Sequence, residues 1–193
     1  MPRVRGAQAA GLFVAGALGG AALDQIHVQA GVLAYPHANL LDQPWWVGPQ
    51  FGVAVVAMVL TARPLARGMA PAGTARLGAG ALWFTGAYAA SGLLGNRHPG
   101  VLASALGATW VVRVARRRER GPVVVASVLL ALAGVVYEGT LCGAGVFHYL
   151  HPSVYHVPIW LAGLYLQGAP LLLDVTRLLD DPSRPARAVA SAR

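Results

Sequence analysis

Apolar residues in this chain fall in long unbroken runs, and polar residues gather between them. Alternation at period two would point to half-buried strands, and a stripe at period 3.6 to water-facing amphipathic helices. The runs here are continuous instead. A bilayer-spanning helix needs about 20 mostly apolar residues, with a range of about 17–25. Six stretches predict such helices, near Gly6–Leu23, Trp45–Ala62, Thr74–Leu94, Pro99–Val112, Pro122–Phe147 and Val157–Leu173. The fourth is short and borrows its flanks. Strands are not expected, and the chain shows no clear internal repeat.

Charge placement tests this division. All 15 basic residues are arginine, and none is lysine. A six-helix layout puts 14 of them on one side, in the N-terminus, the second and fourth loops and the tail. Only Arg97 falls on the other. By the positive-inside rule both termini then face the cytoplasm. Composition agrees: 56% of the chain is hydrophobic and 11% charged, against about 25% charged in soluble domains. The net charge of +8 is therefore topological, and basic loops also attract anionic headgroups. Nucleic-acid binding is disfavoured, because no basic stripe interleaves with stacking aromatics. The first helix carries signal-peptide features, but retaining it preserves the charge pattern. Residues 1–178 form one six-helix domain, and 179–193 a basic, disordered cytoplasmic tail. Cys142 stands alone, so no internal disulfide forms.

The mouth of the second helix reads PWWVGPQFG from Pro44 to Gly52. Trp45 and Trp46 suit the interface, where amphipathic rings anchor at headgroup level. Pro49 suits a first helical turn. The string also resembles the signature that opens the second helix of the Insig family, small endoplasmic-reticulum membrane proteins that sense sterols and restrain the sterol-synthesis machinery. LDQIHVQAGVLAYP (Leu23–Pro36), FTGAYAAS (Phe84–Ser91), Trp110 and FHYLHPSVYHVPIWLAGL (Phe147–Leu164) are similar to further family segments, in order, over about residues 8 to 178. The resemblance implies six helices with cytosolic termini and a bound lipid. Two departures stand out. Arg113 sits near a position that is acidic in the family, and the lysines used there for ubiquitin attachment are missing. The scaffold is thus expected to carry over without the eukaryotic partnership, in a bacterial homologue of the cytoplasmic membrane, or in the endoplasmic reticulum if the source is eukaryotic.

Candidate chemistry is sparse. Gly16 with Gly20, and Gly139 with Gly143, form GxxxG pairs that suit close helix packing. Gly16 also falls where the family's first helix borders the lipid pocket. Phe51 and Phe84 match positions that line it, and Gln50, Tyr88, Trp110 and Gln167 complete the candidate lining. Glu138 is an acid at membrane depth, so it must be paired, neutral or hydrated. Two readings stand open: an ion pair with Arg97, or a neutral acid donating to a lipid head. All six histidines fall on the outer side, where interface polarity explains them better than metal binding. No hydrolase, zinc-protease or nucleotide-binding motif occurs.

These residues predict an all-α integral membrane protein that is not an enzyme. It would hold a sterol-like or diacylglycerol-like lipid within its helix bundle, at Gly16, Gln50, Phe51, Phe84, Tyr88, Trp110, Glu138 and Gln167. No catalytic residue, metal or other cofactor is expected. The partners are the lipid, with room for another membrane protein or a homo-oligomer, and no nucleic acid. The rival readings are a lipid-modifying membrane enzyme and a small transporter, both built around Glu138.

Overall fold

The computed structural model describes residues 6–180. Each apolar run becomes a helix: α1 (Gly6–Gln29), α2 (Val47–Ala66), α3 (Thr74–Leu94), α4 (Pro99–Ala115), α5 (Arg120–Gly143) and α6 (Leu161–Leu179). Residues 181–193 of the expected tail lie outside the described residues, and α6 extends one residue into the tail's expected range. The expectation of no strands needs a small correction. Leu33–Ala34 (β1) and His148–Tyr149 (β2) pair antiparallel in the loops between helices, with Leu33 opposite Tyr149 and Ala34 opposite His148. Backbone groups there, outside any helix, need partners of their own. This pair marks the clasp end of the bundle; the other end is rich in arginine.

Four helices, α1, α2, α3 and α5, are long and apolar enough to cross a membrane. The fourth is shorter, at 17 residues, and starts on Pro99 in its first turn, where the missing N–H costs nothing. The sixth carries Gln167, Asp174 and Arg177, so its composition alone is less apolar. It lies at the centre of the bundle, packed on α2, α3, α4 and α5. Its polar groups face protein and not lipid. Lipid-facing surfaces elsewhere are bare hydrocarbon, as at Leu18, Val53, Leu82, Leu132 and Val136. The molecule is an integral membrane protein.

The structure also overturns the expectation that no repeat is present. A constant offset of 114 residues relates α1 and the start of α2 to α5 and the start of α6, and carries Ala34 of β1 onto His148 of β2. Gly31 and Gly145 both take the left-handed conformation that ends their helices, at φ 63° and 74°. Leu41–Asp42 and Tyr155–His156 both have positive φ, between 49° and 63°. The bridge Leu40–Gln43 recurs as Val154–Val157. Trp46 and Trp160 precede α2 and α6 with nearly the same backbone angles. Ala34 pairs with His148, its own counterpart, so a pseudo-two-fold axis passes through the clasp. The chain is thus two parallel hairpins, α1–α2 and α5–α6, with the α3–α4 hairpin between them in sequence.

Packing repeats as well. A Cβ on Gly20 would sit 2.3 Å from the Phe51 ring, and one on Gly134 would sit 2.3 Å from the Tyr165 ring. In each hairpin a glycine on the first helix admits an aromatic ring from the second, at the same relative position.

Candidate functional site

Asp24 lies six residues before Ala30–Gly31, near the clasp end of α1, and is buried. Its carboxyl accepts from the Tyr35 hydroxyl at 2.8 Å and from Gln43 Nε2 at 2.7 Å. Glu138 is its counterpart on α5. It accepts from the hydroxyls of Tyr149 and Tyr165, through one carboxyl oxygen each. In both hairpins the acid is bound by the tyrosine 11 residues further on. The second donor differs: an amide from the loop in one hairpin, a phenol from the following helix in the other. Buried acceptors need such partners. Outside the helices, burial first and then the neighbouring carboxyl groups push the Tyr35 and Tyr149 phenols well above their ordinary range. Both remain protonated donors.

This corrects one of the two readings of Glu138. No ion pair with Arg97 forms. Arg97 is exposed in the loop before α4, and each carboxyl oxygen of Glu138 accepts from a phenol instead.

An aromatic wall joins the two acids. Tyr35 meets Phe147 at 5.6 Å between ring centroids, Phe147 meets Tyr149 at 5.9 Å, and Tyr149 meets Trp160 at 6.2 Å. His27 lies 5.5 Å from Trp160 and stacks on Tyr88 at 5.0 Å. Phe84 follows at 5.3 Å from Tyr88. His27 Nε2 is 2.7 Å from Ser91 Oγ, whose hydroxyl donates to the Tyr88 carbonyl. The imidazole nitrogen is therefore the donor to Ser91.

A second polar group sits deeper. Gln167 is fully buried on α6. Its Nε2 donates to the Leu106 carbonyl at 2.7 Å and to Thr109 Oγ1 at 3.0 Å. Its Oε1 accepts from Trp83 Nε1 at 2.9 Å and from Arg113 Nη1 at 2.6 Å. The Arg113 guanidinium also lies 5.3 Å from the Trp83 ring centroid. Gln167 is satisfied on every side by protein. At the arginine-rich end, Asp174 is 1% exposed and holds Arg117 through two bonds of 2.9 and 2.7 Å. Arg76 approaches it at 2.8 Å.

The eight expected site residues thus fall into separate neighbourhoods. Phe84, Tyr88 and Glu138 belong to the clasp-end interior. Gln167 lies in the α3–α4–α6 hub. Trp110 donates to Ser127 Oγ at 3.0 Å, joining α4 to α5. Gly16 and Phe51 lie in the α1–α2 interface, where a Cβ on Gly16 would come within 2.8 Å of Val55 and 3.0 Å of the Phe51 carbonyl. Gln50 is half-buried in the first turn of α2. Sequence reasoning missed Asp24, Tyr35, Gln43, Tyr149 and Tyr165 as a set. Their signal was present: AGV-x-x-Tyr-x-His occurs at Ala30–His37 and, with Ala144–His151, a second time. An acid precedes each copy by six residues.

No protein-family model and no curated protein matches the chain. Two solved structures do, both of MvINS, a mycobacterial Insig homologue from Mycobacterium vanbaalenii. One is the protein itself, at 23% identity, and the other a cross-linked trimer of a cysteine variant, at 24%. Each superposes with a TM-score of 0.78 and covers 92% of this chain and 96% of its own. The chain has an Insig-like membrane fold.

Proposed function

We propose that this protein binds a membrane lipid with a small neutral head, sterol-like or diacylglycerol-like, and performs no chemistry on it. One observation carries the reading. At the clasp end, two carboxyl groups each accept two internal donors, beside an aromatic interior. A carboxyl group that accepts two donors has acceptor capacity left over, so each can take a further donor. A free hydroxyl on an apolar body supplies it, and sterols and diacylglycerols both carry one. Apolar walls with a few fixed polar groups are the usual composition of such a site. Tyr88, Phe84 and Glu138 are the residues we assign to it, with Asp24 and Tyr35 added. The likeness to an Insig homologue supports the reading at the level of fold.

We place Glu138 as a binding group and not as the proton carrier of an enzyme or transporter, because two phenols donate to it. We further propose that both termini face the cytoplasm, in the membrane of a bacterium. MvINS was captured as a cross-linked trimer, and we extend a homo-oligomer to this chain as part of the proposal.

The deciding experiment identifies lipids retained by the purified full-length protein, by extraction and mass spectrometry. One neutral, hydroxyl-bearing lipid per chain is expected, and Glu138→Ala should reduce it. Absence of any stoichiometric neutral lipid would overturn the reading. Labelling of engineered cysteines tests topology: a site at Arg117 should react only from the cytoplasmic side, and one at His151 only from outside.

A further inference from the structure

The repeat gives each face of one hairpin a counterpart on the other, and one pair of faces is unequal. On α6, Gln167, Leu171 and Asp174 form the face covered by α3 and the α4–α5 region. The same offset places Val53, Ala57 and Leu60 on α2, and all three are exposed. Ser127 on α5, which bonds Trp110, corresponds to Phe13 on α1. Every polar group of the covered face is thus replaced by hydrocarbon. What remains is an open groove of about 420 Å³, framed by Ala10, Phe13, Val53, Val56, Ala57 and Leu60.

The groove would enclose only a short length of helix. A helix about 10 Å across, rising 1.5 Å per residue, displaces on the order of 100 Å³ per residue. The space would accept about one turn. A narrow, flexible hydrocarbon chain suits it better. The charge at its end narrows the choice further. Arg67 lies seven residues beyond Leu60, two turns along the same face. It is exposed at the end of α2 and enters no ion pair among the described residues. Its neighbour Arg63 differs, being held by Asp180 at 2.5 Å. An apolar groove with an unpaired arginine two turns beyond it, at the end of the helix, matches a lipid whose phosphate sits at that level.

We infer that the outward face of α1–α2 binds an anionic phospholipid of the leaflet at the arginine-rich end, one acyl chain in the groove and its phosphate on Arg67. This site is separate from the neutral-lipid interior, and neither depends on the other.

Native mass spectrometry of the full chain, released from nanodiscs of equal phosphatidylglycerol and phosphatidylcholine, tests it. One phosphatidylglycerol per chain should remain bound. Ala57→Trp fills the groove from a lipid-facing position and should lower that occupancy about tenfold, the loss that corresponds to about 1.4 kcal/mol. Leu60→Trp repeats the test should the first variant misfold. Arg67→Gln should leave the groove intact but cut the preference for phosphatidylglycerol over phosphatidylcholine about fivefold, the worth of one basic residue near an anionic surface. Unchanged phosphatidylglycerol occupancy in both tryptophan variants, or an unchanged preference in Arg67→Gln, would overturn the site. So would efficient cross-linking between copies through Val56→Cys, because a second chain would then cover the face.

Discussion

The two hairpins, α1–α2 and α5–α6, share a backbone plan and differ in the company they keep. On α6 one face carries Gln167 and, nearer the arginine-rich end, Asp174, and both are covered by protein. On α2 the same positions are Val53 and Leu60, and both face lipid. The backbone tolerates either set. What decides is whether a neighbour can satisfy the polar group, since an unsatisfied one in hydrocarbon is expensive. The α3–α4 hairpin supplies those neighbours to one side only, and that asymmetry is written into the side chains of the repeat.

The comparison can be broken most severely at Asp174. Asp174→Leu makes α6 resemble α2 but strands Arg117 and Arg76 beside a buried leucine. Removing one partner of a buried pair costs about 3–5 kcal/mol, less here because Arg76 is about one-third exposed. Thermal unfolding in detergent should show the largest fall of the set. Gln167→Val, the other conversion, removes an amide that bonds four groups. About 1–3 kcal/mol is expected for the donors left behind, read in the same assay. Tryptophan fluorescence should change with it, through Trp83.

Symmetry is tested next by Gly20→Ala and Gly134→Ala. Each new methyl would press on a ring, Phe51 or Tyr165, at 2.3 Å. Overpacking of this kind costs about 1–3 kcal/mol. Similar losses in the two variants are expected; a harmless change at either site would mean the hairpins do not share this contact. Tyr35→Phe and Tyr149→Phe form a smaller matched pair, each deleting one hydrogen bond to its acid, with about 1 kcal/mol expected. Smallest is Arg97→Gln, for which no measurable shift is expected, alone or combined with Glu138→Gln. Strong non-additivity in that double mutant would restore the discarded ion pair.

The helix contacts also bear on Gly16, expected from the sequence to border the lipid pocket. Gly16 is closed against Val55 and the Phe51 backbone. A phenylalanine there would force α1 away from α2, so lost stability and lost lipid could not be separated. Gly16 is a poor probe of a pocket.

Six helices could be read from the chain because hydrocarbon runs report lipid directly. The ends of α6 could not. Val157–Trp160 is apolar but not helical, since Tyr155 and His156 take positive φ and Val154 bridges to Val157. At its other end the helix runs to Leu179, past Asp174, whose burial depends on arginines brought from α3 and the α4–α5 loop. No local pattern announces partners so distant. The ion-pair reading of Glu138 fails for a related reason. A lone arginine on the same side suggests a cation as partner, while the chain supplies phenols, and Tyr165 reaches the acid from the next helix. The repeat was within reach, since Ala30–His37 and Ala144–His151 share most of their letters. Beyond the loop the two hairpins have diverged, because one faces lipid where the other faces α3 and α4.

The order of the helices has a consequence for synthesis. The acid of each hairpin finds its donors within that hairpin, so α1–α2 can enter the membrane with Asp24 already satisfied. Its half of the clasp then waits for a partner 114 residues downstream, which at about 5–20 residues per second takes roughly 6–23 s to appear. The sixth helix, whose polar groups make it the costliest to leave in lipid, emerges last. By then α3 and α4 are in place, and the helix that depends most on its neighbours arrives when all of them have been made.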